Sequence, residues 1–87
     1  MEKTEVAKIL FQLRNVYPNF CKDYSEEQSD CILDLWTDHL KNEKKDIVDL
    51  VIFNWIEEEK YYPNIRDIKE KIREEESKQK WEAYYDN

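Results

Sequence analysis

The side chains that could carry chemistry in this sequence are few. His39 is the single histidine. It sits at helical spacing among Ile32, Leu35, Trp36 and Leu40, where an imidazole is expected at the edge of a core and not in a catalytic relay. Cys21 and Cys31 have neither C-x-x-C spacing nor a secretory leader. Both are expected to be reduced, with Cys31 partly buried. Joined with His39, they would still leave a zinc site short of a fourth ligand. No serine or cysteine has a base at motif spacing, and a chain with no glycine cannot build a glycine-rich phosphate loop. Glu57-Glu58-Glu59 and Glu74-Glu75-Glu76 supply carboxylates, but consecutive helical residues point in different directions, which makes solvated faces and not a metal site. The expectation is a protein that is not an enzyme, uses no metal or cofactor, and acts by binding.

Two sets of residues suit binding. Trp81, Tyr84 and Tyr85 are spaced i, i+3, i+4, so on a helix they form one patch. At ~100° per residue that patch lies opposite the stripe Ile65, Ile68 and Ile72. Aromatic side chains off the core face are candidate partner-binding hot spots. Arg66, Lys69 and Arg73 form a basic strip on the same helix. Three cations within a protein of net charge −7 are expected as a solvated face more than as a nucleic-acid contact.

Those residues need helices to hold them, and the composition allows little else. With 87 residues there is room for one domain. Glycine is absent and only Pro18 and Pro63 break the chain, which excludes tight hairpins and bulges and leaves helix formers in charge. The 40% of apolar residues, with three Trp, six Tyr and three Phe, can fill a small core. The acidic balance, 21 acidic against 14 basic side chains, disfavours a general nucleic-acid binder. No apolar run approaches a membrane span, and MEKTEVAK lacks the hydrophobic region of a signal peptide, so a cytoplasmic place is expected.

The periodicity predicts an all-α, small four-helix domain. Val6, Ile9, Leu10, Leu13, Val16 and Tyr17 give one stripe on a helix from about Thr4 to Val16, ended by Pro18, with Phe11 off the stripe. Ser25-Glu26-Glu27-Gln28 is a capping box that opens a second helix, about Glu26 to Lys41, with Ile32, Leu35, Trp36, His39 and Leu40 on one face. A third helix, capped by Asp46, carries Ile47, Val48, Val51, Ile52 and Trp55. Leu50, Phe53 and Ile56 widen its apolar surface, as expected of the central helix. Tyr61-Tyr62-Pro63-Asn64 is a turn in which at least one tyrosine ring packs, and Asn64 caps the fourth helix. Beyond Ile72 the support shifts to Glu74–Lys78 and Glu76–Lys80 pairs. Residues 1–73 are thus expected to form the compact domain. Residues 74–87 are expected to form a charged, partly solvent-exposed and mobile helical extension with an aromatic end.

Three segments in this order resemble the small helicase loader/inhibitor proteins of bacteriophages. They are Tyr17-Pro18-Asn19-Phe20, the Leu35-Trp36 pair, and Tyr61-Tyr62-Pro63-Asn64-Ile65-Arg66-Asp67-Ile68, with the resemblance covering about residues 4–72. It implies a compact helical N-terminal domain that binds the ring-shaped replicative helicase, restrains it and delivers it to an origin-bound initiator in the bacterial host cell. In that family the helicase is engaged chiefly through a flexible segment C-terminal to the helices. This chain carries Tyr62 where a second proline is common. Two other functions fit the residues: an acidic inhibitor that blocks a host nucleic-acid enzyme, and a DNA-contacting module of an initiator complex.

Overall fold

A computed structural model describes the backbone of residues 1–85 and the side chains of residues 1–80. Four helices follow one another: α1 (Lys3–Val16), α2 (Glu26–Leu40), α3 (Lys45–Glu58) and α4 (Ile65–Tyr85). No strand occurs among the described residues. α1 packs on α2 and α3 on α4, and smaller contacts of α1 with α3 and α2 with α4 join the two pairs.

The predicted periodicities account for most of the core. α1 buries Val6, Ile9 and Leu13, α2 buries Trp36 and Leu40, α3 buries Ile47, Val48, Val51 and Ile52, and α4 adds Ile68 and Ile72. The loops contribute Tyr17, Phe20 and Pro63, all buried. The Ser25 box forms as predicted, with the Gln28 amide donating to Ser25 Oγ at 3.1 Å and the Ser25 amide donating to Gln28 Oε1 at 2.9 Å. Asn64 forms a second box. The Asp67 amide donates to Asn64 Oδ1 at 2.8 Å, and the Asn64 amide to Asp67 Oδ2 at 3.1 Å.

Several expectations are corrected. Val16 is exposed and Tyr17 takes the last place in the α1 stripe, because the extended backbone at Tyr17 (φ −113°, ψ 102°) ends the helical rotation there. Phe11 is exposed. α2 is turned so that Leu33 packs against the core while Leu35 stands half in water. His39 is exposed, and so is Cys31, while Cys21 is the partly buried cysteine. α3 starts before Asp46. Lys44 is its cap and supplies no side-chain bond, because the buried Val48 needs the Lys44 carbonyl for its amide, a bond of 3.1 Å. Asp46 falls in the first turn, where its charge complements the helix dipole. α3 is central on one face only, for Leu50 and Phe53 are exposed.

α4 runs unbroken across the expected boundary at 73/74. Ile72 is the last buried residue among those described. Past it, Glu74 pairs with Lys71 at 3.5 Å. The ion pairs among the described residues do not include Glu74–Lys78 or Glu76–Lys80.

Candidate functional site

Pro18 stops α1 and the chain turns back through a hydrogen bond from the Phe20 amide to the Tyr17 carbonyl, 2.9 Å. With no glycine to take the left-handed corners of this loop, Cys21 (φ 57°) and Asp23 (φ 60°) take them. That conformation is disfavoured for a residue with a Cβ. The loop thereby inserts Phe20 into the core beside Trp36, edge to face, with ring centroids 6.2 Å apart. The α3–α4 turn arrives from the other side. The Trp55 indole N–H donates to the Tyr61 carbonyl at 2.8 Å, Pro63 is fully buried, and the Tyr62 ring lies 5.4 Å from Phe20. The expected packing of a tyrosine in this turn is therefore met by Tyr62, while Tyr61 is exposed.

Between these two loops and α2 lies a groove of about 270 Å³, with Phe20 and Trp36 below and Leu35, Tyr62, Pro63 and Ile65 along its length. It opens onto a shelf on α2 formed by Tyr24, Gln28, Cys31, Ile32 and Leu35. Nothing in the sequence marked this groove as a site. The available signal was that Leu35 and Tyr62 sit beside buried aromatics without a stripe of their own to complete. The Cys21 thiol, at the groove's inner edge, has its pKa raised by burial, so it is a sluggish nucleophile.

The sequence-predicted basic strip is divided. Arg66 and Arg73 are exposed. Lys69 turns toward the α2–α3 loop, where its ammonium donates to Glu43 Oε1 at 2.8 Å and to the His39 carbonyl at 3.1 Å. It is thus a staple between α4 and the end of α2. The side chains of Trp81, Tyr84 and Tyr85 lie outside the described residues. A smaller cleft of about 80 Å³ between α3 and α4 mixes Glu58, Glu59, Glu74 and Glu75 with Lys71 and Lys78. No group of three or more His, Cys, Asp or Glu residues among the described residues is placed to hold a metal ion. No helix among them is long and apolar enough to cross a membrane.

Helix order, capping and groove define a small all-α domain whose most developed surface feature is an open apolar trough. The family model for the N-terminal domain of the phage gene 39 product matches residues 1–69. The chain belongs to this family, the N-terminal domain of a phage helicase loader/inhibitor, and is a phage helicase-associated protein. No curated protein and no solved structure gave a match. The matched stretch includes α1 to α3, the first turn of α4 and both loops of the groove. The three segments that carried the resemblance in the sequence meet there, through Phe20, Trp36 and Tyr62.

Proposed function

We propose that this protein binds the ring-shaped replicative helicase of its phage, restrains it, and delivers it to an origin-bound initiator in the cytoplasm of the bacterial host. The observation that carries this reading is the family match over residues 1–69. The composition supports it, since a net charge of −7 keeps the chain off nucleic acid and leaves a protein as the natural partner. The helicase contact is assigned to Trp81, Tyr84 and Tyr85 near the end of α4. This is the side of the domain on which the family carries its helicase-binding segment, and these residue types dominate binding hot spots.

The test is binding of the full chain to a purified ring helicase, with and without ATP, followed by the double variant Trp81→Ala with Tyr85→Ala. The variant should bind at least tenfold more weakly, about 1.4 kcal/mol, with the thermal midpoint nearly unchanged. A variant that melts well below the parent would return these rings to the core and move the helicase contact to α1–α3. No binding by the parent chain would end the reading.

A further inference from the structure

The groove beside Trp36 has an unusual balance of floor and rim. Phe20 and Trp36 beneath it are only 4% and 2% exposed, yet Tyr24, Leu35 and Tyr62 along its edges remain 44%, 49% and 47% exposed. Three large side chains thus line one trough without being covered, which is the usual mark of a recognition surface. The outer face of α2 runs beside them. Glu27, Asp30, Asp34 and Asp38 follow at i, i+3, i+7 and i+11, which sets four carboxylates in a ladder along one side of the helix. Asp34 pairs with Lys3 at 2.9 Å and Asp38 with Lys41 at 3.2 Å. Both pairs are solvent-exposed, so they are weak and readily exchanged for a better cation. Glu27 and Asp30 have no ion-pair partner among the described residues.

An apolar trough with a carboxylate ladder on one lip defines its complement. Nucleic acid is repelled by the ladder. A second copy would bring another seven negative charges, which opposes self-association through the acidic lip. We propose that this groove docks a basic amphipathic helix of a partner protein. Apolar side chains at i and i+3 or i+4 of that helix enter the trough over Trp36, and its Lys or Arg residues meet the α2 carboxylates. The surface lies on the matched domain and is distinct from the end of α4. It therefore does not depend on the helicase assignment.

The test uses the isotope-labelled full chain, titrated with a Leu/Lys amphipathic helical peptide and with the Leu/Glu peptide of the same apolar pattern. Amide shifts on adding the Leu/Lys peptide are expected to centre on the 19–24 loop, α2 and the 62–65 turn. Cys31, on the shelf, should become at least fivefold slower to alkylate. Leu35→Glu should remove binding. Glu27→Lys with Asp38→Lys, two fully surface changes that keep the fold, should weaken it at least tenfold. Trp81→Ala with Tyr85→Ala should leave it unchanged. Equal binding of the Leu/Glu peptide, shifts centred on the acidic α3–α4 cleft, a concentration-dependent dimer that covers the trough, or no binding would each overturn the proposal. Helicase binding by the same variants separates the two readings. Loss of peptide docking with helicase binding intact defeats only the groove, and the converse defeats only the helicase assignment.

Discussion

Two adjacent residues of α2 have opposite duties. Trp36 is 2% exposed and packs edge to face on Phe20, so Trp36→Ala should cost ~3–5 kcal/mol in urea denaturation, the usual loss for emptying an aromatic core site. Leu35→Ala, one position away, should fall within ~0.5 kcal/mol of the parent, because its side chain already stands half in water. Tyr17 shows the same economy of placement. Its ring closes the α1 stripe, and its hydroxyl donates to the Glu59 carbonyl at 2.8 Å at the C-terminal end of α3. Tyr17→Phe should therefore lose ~0.5–1.5 kcal/mol while keeping the ring in place. Burial first, and then the charge of Glu59, raise the pKa of this phenol. Folding thus favours its neutral form. The stabilisation is fully present below the unfolded value of ~10 and is lost as pH rises through the higher native value. Melting curves of parent and Tyr17→Phe between pH 8 and 11 should converge at the alkaline end. A constant gap across that range would show that the hydroxyl does not titrate as its surroundings require.

The helices were legible in the sequence because their signals are local. The Ser25 and Asn64 boxes, the Pro18 stop and the stripes of α1 and α3 each depend on residues within one or two turns. Asn64→Ala should accordingly cost ~0.5–2 kcal/mol, and a loss below that range in thermal melts would mean that the buried Pro63 alone fixes the start of α4. What the sequence left open is the rotation of α2. Ile32, Leu33 and Leu35 offer two apolar strips on either side of Trp36, and local pattern cannot choose between them. The choice is made by Phe20 and Tyr62, which arrive from loops distant in sequence and fill the side of Trp36 that Leu35 would otherwise share. The groove was hidden for the same reason, since its floor, rim and ladder come from three separate segments. Lys69 was likewise read as part of a surface strip, because nothing within a helical turn points to Glu43. The pair is three-quarters or more buried on both sides, at 25% and 18% side-chain exposure. Lys69→Met should therefore destabilise by ~1–2 kcal/mol, between the values for exposed pairs and for charged hydrogen bonds. An unchanged midpoint would make the staple ornamental.

At the scale of the molecule, four short helices account for the core and the fourth outruns it. The extents of 51 × 26 × 17 Å are those of an elongated body, and burial among the described residues ends at Ile72 while α4 continues to Tyr85. Amides of 65–72 should therefore exchange with solvent more slowly than those of 74–80 in the free protein. A chain ending at Arg73 should melt within about 4–8 °C of the parent, the shift that ~1 kcal/mol produces in a domain of this size. A larger drop, or equal protection along α4, would make residues 74–85 part of the cooperative unit and remove the division at residue 73. The unbroken course of α4 has a geometric consequence. Asn64 and Ile65, at one end of the helix, border the groove, and the aromatic triplet occupies the other end, so a single rod of 21 residues, ~30 Å long, sets both the span and the relative azimuth of the two surfaces. Seven residues inserted after Lys78 would move the far end out by ~10 Å and turn it by only ~20°. Two inserted residues would move it by ~3 Å and swing it through ~200°. A complex that engages both ends at once would tolerate the first change only if its own attachment points can separate, and the second only if they can rotate, which makes α4 a gauge of the assembly built around it.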